Sequence, residues 1–199
     1  KDIDAKKICS IKNLLINLEI STNENMVKTA LSLNPDFVCL VPENREERTT
    51  EGGLDVDKNF ERLTPFAQEL GAAGIRLSLF VEPDQLQLEA AKALGAPVVE
   101  LHTGTYCNTQ FGSLERDKTL AKIVEASAYA ERLGLECHAG HGLGFATVGP
   151  IAAIPSIVEL NIGHFLIGEA IFGGLEITIS QMRALLDNSR ADIIDDCSP

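Results

Sequence analysis

Basic side chains are scarce in this sequence. Its 199 residues carry 17 Lys and Arg against 29 Asp and Glu, a formal charge of −12 with a pI near 4.7. That balance argues against nucleic-acid binding, which needs a basic face to displace counterions from phosphates, and against docking on anionic lipid. No run of 18 apolar residues occurs, so no segment is expected to span a bilayer. The opening Lys1-Asp2-Ile3-Asp4-Ala5-Lys6-Lys7 lacks the apolar stretch of a secretory signal. The cysteines at 9, 39, 107, 137 and 197 form no C-x-x-C pair, and their odd number speaks against a disulfide framework. Cys39 and Cys137 fall inside apolar runs, where a thiol acts as a small hydrophobe. A reducing, cytoplasmic setting is expected. Cys197, third from the end, makes no prenylation box.

What is present is alternation. Short apolar runs at Leu14–Ile20, Phe37–Pro42, Ile75–Val81, Val98–Gly104, Leu135–Gly140 and Ile157–Gly163 have the length of buried parallel strands. Between them lie amphipathic stretches that predict helices at Asn23–Leu33, Val56–Leu70, Pro83–Leu94 and Leu114–Leu133, with a last one from His164 to about Leu186. Gly71, Gly95 and Gly134 sit where a helix C-terminus wants φ > 0. The stretch 142–153 reads as a loop with room for one helical turn. Successive runs begin about 29 residues apart, without a Gly/Ser linker, so a single domain over 1–199 with a polar C-terminal tail at 188–199 is expected.

Strict βα alternation means parallel strands joined by right-handed crossovers. An open doubly wound sheet and a (β/α)8 TIM barrel both satisfy it. No G-x-G-x-x-G follows the first run, which weakens a dinucleotide-binding open sheet. Polar residues instead cluster at the C-terminal ends of nearly all the runs, as in a barrel whose site is built from many βα loops. A closed barrel needs eight units and about six are present here. The residues alone therefore leave a barrel short of two strands or a six-stranded open sheet.

Several strand-end residues are candidates for chemistry. Glu19, flanked by Leu18 and Ile20, would place its carboxylate at the mouth of the core, where burial raises a pKa toward proton transfer. Glu100 and His102 stand two apart, on the same side of their strand as Val98, with Val99, Leu101 and Thr103 on the other. An acid on a barrel's inner side is costly without a partner, whereas His102 also fits a satisfied core histidine. The polar stretch Glu43–Gly53 is long for a βα loop, and its Thr49-Thr50-Glu51-Gly52-Gly53 can wrap an anion. His141 lies between Gly140 and Gly142, which let backbone N–H groups approach a ligand. Gly163-His164 opens the last helix, so its free N–H donors face a phosphate. Four histidines invite a metal reading, but no H-x-x-x-H or H-E-x-x-H spacing occurs, and His138 with His141 is a weak ligand pair. No metal is expected.

Asn17-Leu18-Glu19, Cys39-Leu40-Val41-Pro42-Glu43, Thr49–Val56, Ala139–Leu143, Ile151–Pro155 and Glu159–His164 together resemble the pyridoxine 5′-phosphate synthase family, from about Asp2 to Asp187. The resemblance implies a (β/α)8 barrel without metal or organic cofactor, assembled as a homo-oligomer, an octamer in the family. It implies condensation of 1-deoxy-D-xylulose 5-phosphate with 3-amino-2-oxopropyl phosphate to pyridoxine 5′-phosphate, inorganic phosphate and water. Glu19 and His141 match the family's acid/base groups, and Glu100 matches a carboxylate that assists at the transition state. Thr49, Gly142, Gly163 and His164 match substrate-binding positions, and the loop around Thr49 resembles a closing lid. Family members carry two earlier units, with an Asn-x-Asp-His strand and a His-x-Arg strand, that these 199 residues do not contain. Were those units absent from the protein, weakened activity and an exposed sheet edge would be expected. Gly144-Phe145-Ala146-Thr147 also departs from the family's usual pattern. Two other readings stay open: a non-catalytic phosphosugar-binding barrel, and a metal-dependent sugar-isomerase-like barrel using His138, His141 and Glu100.

Overall fold

Six short apolar runs become six parallel strands because each is too short for a buried helix and is punctuated by a helix with its own caps. The computed structural model describes residues 2–43 and 52–196. In chain order these are α1 (Asp2–Cys9), β1 (Asn17–Ser21), α2 (Glu24–Leu33), β2 (Phe37–Val41), α3 (Phe60–Ala72), β3 (Arg76–Val81), α4 (Gln85–Leu94), β4 (Val98–His102), α5 (Gly104–Asn108), α6 (Leu114–Arg132), β5 (Glu136–Gly140), α7 (Val148–Ala152), β6 (Ile157–Asn161), α8 (His164–Gly173) and α9 (Leu175–Asp196). All strand pairs are parallel and the order is β1-β2-β3-β4-β5-β6. Among the described residues β1 and β6 are the two edges of this sheet.

Side-chain caps set the helix starts. Asn23 accepts the Met26 N–H at 3.0 Å, Asp84 accepts those of Leu86 and Gln87, and Ser113 accepts that of Arg116. Gly95 and Asn34 take left-handed conformations and end α4 and α2. Three boundaries differ from the sequence reading. The third helix starts at Phe60, because Asp55 first folds a turn by accepting the Lys58 N–H and, through its carbonyl, that of Asn59. It runs through Gly71, and the left-handed residue after it is Gly74, at φ 77°. The expected last helix is two, broken at Gly174 with φ 84° and ψ 152°, and the second reaches Asp196. The 188–196 part of the expected tail is therefore helical.

The two faces of the sheet differ. Ile20, Val38, Leu40, Leu77, Leu79, Val99, Leu101, Cys137 and Ala139 point toward the helices and pack with Val27, Leu63, Leu70, Leu88, Ile123 and Ala130 in one buried cluster. Each such aliphatic side chain contributes about 1.5–3 kcal/mol when fully removed from water. The other face carries Cys39, Ser78, Glu100 and His138, all buried. Glu100 on β4 takes a hydrogen bond from Asn161 on β6 at 2.7 Å and meets the Cys39 thiol of β2 at 3.7 Å. Strands two apart in a flat sheet lie about 9–10 Å from each other. These contacts therefore require the sheet to curl, with its polar side concave.

Candidate active site

The concave face is built in layers, since paired residues of parallel strands point the same way. Glu19, Cys39, Ser78, Val98 and Glu136 share one register row. Phe80, Glu100, His138 and Glu159 form the next, and His102, Gly140 and Asn161 the one nearest the strands' C-terminal ends. At the lower end Arg76 holds Glu136 through two 2.9 Å hydrogen bonds, and His138 lies between Glu136 at 2.9 Å and Glu159 at 3.3 Å.

Glu100 is the buried acid of this face, at 7% exposure. Burial pushes its carboxyl up to about 7 despite the opposing Asn161 hydrogen bond, and the Glu19 charge adds to the rise. Its Oε1 lies against Gly140, where an added Cβ would overlap it, so glycine there makes room for the carboxylate. The Cys39 thiol is raised by the same burial and by Glu100, which leaves it without thiolate character.

The C-terminal ends of β3, β4 and β5 bring three rings together. Phe80 and His102 have centroids 5.4 Å apart, His102 and His141 5.2 Å, and Phe80 and His141 6.3 Å. His102 is buried, with Nδ1 at 2.9 Å from Glu82 Oε1, while its buried Nε2 has no hydrogen-bond partner among the described residues. Glu82 also accepts the Gly53 N–H at 2.9 Å. Burial pulls the Glu82 carboxyl upward, but the hydrogen bonds from His102 and Gly53 outweigh it and hold it below its ordinary value. His141 and Gly142 both have positive φ, 74° and 81°. A histidine in that region costs about 1 kcal/mol or more, and such strain tends to persist where function holds it.

Of the residues expected from the sequence, Glu100, His141, Gly142, Gly163 and His164 lie on or just after three neighbouring strands, β4 to β6. The loop after β5 is tied to the start of α8 by Phe145 and Phe165, an edge-to-face pair at 4.8 Å. Gly163 caps α8 and His164 is its first residue, both exposed. A Cβ at Gly163 would meet no atom of the described residues within 4 Å. Glu19 is exposed on β1 rather than buried at the mouth of the core. Among the described residues β1 pairs with β2 alone, and the Glu19 charge reaches Glu100 and Cys39. Thr49 lies outside the described residues, as does most of the stretch expected to wrap an anion. His102 fits the core-histidine reading at one nitrogen only. His138 points between Glu136 and Glu159 below the mouth, and among the described residues no group of three His, Cys, Asp or Glu is arranged to hold a metal.

Sequence reasoning missed Glu82, Asn161 and Cys39 as site residues. The parity that placed Glu100 and His102 on one side also puts Ser78, Phe80 and Glu82 there, and that signal was available. Gly53 was expected only as part of an anion-wrapping loop, and Gly104 only as the end of the fourth apolar run, yet both stand against residues of this site. A Cβ at Gly104 would stand 2.9 Å from His141 Cδ2 and closer still to His102 Nε2, and one at Gly53 would overlap the backbone at Val81 and Glu82.

A curled sheet of parallel strands with helices outside it, and acids and imidazoles at its carboxyl ends, defines an enzyme of the α/β-barrel type. The solved structure of a 4-hydroxy-2-oxoglutarate aldolase has this fold, with a TM-score of 0.58 at 18% identity over 94% of this chain and 74% of that one. The chain belongs to the family described as pyridoxal phosphate biosynthesis protein PdxJ, whose sequence profile matches residues 1–188. The pyridoxine 5′-phosphate synthase of Rhodospirillum rubrum is 54% identical over 186 residues, 94% of this chain and 74% of that protein. That of Zymomonas mobilis is 55% identical over 179 residues, 90% and 69% of the two chains.

Proposed function

We propose that the protein is a pyridoxine 5′-phosphate synthase, condensing 1-deoxy-D-xylulose 5-phosphate with 3-amino-2-oxopropyl phosphate to give pyridoxine 5′-phosphate, inorganic phosphate and water. Family membership and relatives at about half identity support this reading. The observation that carries it chemically is Glu100, a buried carboxyl raised to about 7 among Glu19, Asn161 and Cys39. Imine formation, elimination and ring closure are proton transfers, and an acid half-protonated near neutrality can both give and take a proton. In this reading Glu19 and His141 exchange protons with the substrates and Glu100 supports the charge that develops between them. Gly142, Gly163 and His164, with Thr49, bind the phosphorylated substrates. The start of α8 suits that role because its first N–H groups are free and Gly163 leaves open space beside them.

No organic cofactor or metal enters this scheme. Assembly into a homo-oligomer belongs to the same reading, supported by the exposed Ile167, Ile171 and Phe172 of α8, which water alone would cover poorly. A cytoplasmic location is supported by the free Cys9, Cys39, Cys107 and Cys137. Among the described residues no helix is long and apolar enough to cross a membrane.

The test is direct. The protein mixed with both phosphorylated substrates yields pyridoxine 5′-phosphate, and Glu19→Ala or His141→Ala slows it by at least about tenfold. Calorimetric binding of a sugar phosphate by the folded protein without any turnover would replace this reading with that of a binding protein.

A further inference from the structure

The strand-end rings are connected to a carboxylate that the proposed chemistry does not use. Glu82 follows β3, and its Oε1 lies 2.9 Å from His102 Nδ1 and accepts the Gly53 N–H. An ionised carboxylate only accepts hydrogen bonds, so the proton between Glu82 and His102 sits on Nδ1. The other nitrogen, Nε2, is buried, has no hydrogen-bond partner among the described residues and faces Gly104. A proton on Nε2 would be a buried donor with no acceptor among the described residues, so the neutral ring carries its lone pair there. Beyond Gly104 stands His141, whose ring packs on His102 at 5.2 Å and on Phe80 at 6.3 Å. The glycine is what lets both imidazoles come this close.

We infer that Glu82 and His102 form a positioning pair, in which the carboxylate locks His102 as its Nδ1–H tautomer and the locked ring sets the orientation of His141. The inference rests on the role of His141 in the proposed synthase reaction, and deepens it. His141 itself stands in a left-handed backbone conformation at the surface. Its ring rests on those of Phe80 and His102, and His102 is the one of these two whose own orientation is hydrogen-bonded. Three groups anchor that orientation: the Gly53 N–H and Nδ1 on the Glu82 carboxylate, and the Phe80 edge against the His102 ring at 71°. The charged and titratable groups facing the pair are Lys122, whose charge favours ionised Glu82, and His141. The arrangement follows the logic by which a buried carboxylate fixes an imidazole's tautomer and direction in hydrolytic enzymes, here one residue further removed from the reacting atoms.

The tautomer is read by nitrogen-15 NMR of the histidine side chains in the whole protein. There are four histidines in the sequence, and the signals of His102 are those lost in His102→Asn. At a pH of about 8, where a histidine of ordinary pKa is neutral, the wild-type His102 is expected to show a protonated Nδ1 and an unprotonated Nε2. Glu82→Gln, whose amide can serve either tautomer, is expected to mix the two forms and to move the His141 ring signals. Turnover should then fall by about tenfold with KM changed less than about twofold, because orientation and not ground-state binding is lost. Glu82→Asp, which keeps the carboxylate, should restore the Nδ1–H signature and part of the rate. A wild-type His102 protonated on Nε2 overturns the inference, as do His141 signals and a kcat unchanged in Glu82→Gln. If Glu82→Gln fails to fold, the wild-type spectrum and Glu82→Asp decide in its place. Absence of product from the wild-type protein would end the synthase reading, while the spectra would still decide whether Glu82 locks His102.

Discussion

Replacing Glu100 by Gln removes a charge that the fold pays to bury, and the size of the effect follows from its surroundings. The side chain keeps its shape, and its amide oxygen can take the place of the Oε2 that accepts from Asn161. The ordinary carboxyl value of 4.5 rises to about 7 in the folded protein, chiefly through burial. That displacement corresponds to about 3 kcal/mol of stability. The folded state binds the proton more tightly than the unfolded chain, so the wild type has its full stability below about pH 4.5. It loses stability as pH rises toward 7 and is level above it. Glu100→Gln should therefore match the wild type near pH 4 and exceed it by about 3 kcal/mol at pH 8. In a chain of this length that is a rise in Tm of roughly 6–12 °C. Paired thermal melts across that pH range measure it, with synthase turnover followed in parallel and expected to fall. A stability difference that is constant with pH, or that favours the wild type at pH 8, would refute the reasoning.

Three further outcomes follow from single contacts. Asn161→Ala removes the hydrogen bond that opposes burial at Glu100, so the near-neutral limb of the pH–rate profile should move to higher pH; an unmoved limb would show that Glu100 does not set it. Gly104→Ala would ordinarily favour a helix, but its Cβ would crowd His102 and His141, so urea unfolding should show a loss of about 1–3 kcal/mol together with slower turnover. A gain in stability there would mean that the two rings are not held as described. Asp84→Ala removes the α4 cap and should cost about 1 kcal/mol while leaving kcat unchanged, and a kcat loss would tie the cap to the site.

Periodicity made the strands and most helices legible, because a buried parallel strand has to be apolar on its helix side and short between capped helices. It also placed Glu100 and His102 on one side of β4, where the structure has them. What it could not supply was depth. Glu19 and Glu100 look alike as acids among aliphatic neighbours, yet one lies on an edge strand and the other in the middle of a curled sheet. Strand order and curvature decide burial, and both arise from long-range pairing that no local window contains. Asn161 and Cys39 gained their meaning in the same way, since they lie 61 residues from Glu100 in either direction. The split between α8 and α9 escaped notice because Gly173-Gly174 interrupts an apolar stretch whose composition on both sides favours helix.

The alternation along β4 separates two requirements that proteins usually have to meet with the same atoms. Val99 and Leu101 join the aliphatic layer under the helices, whereas Glu100 and His102 stand on the concave polar face opposite. Even-numbered positions on this strand can thus change with the reaction while odd-numbered ones go on holding the scaffold. A catalyst of this design can trade one substrate for another without renegotiating how it stays folded.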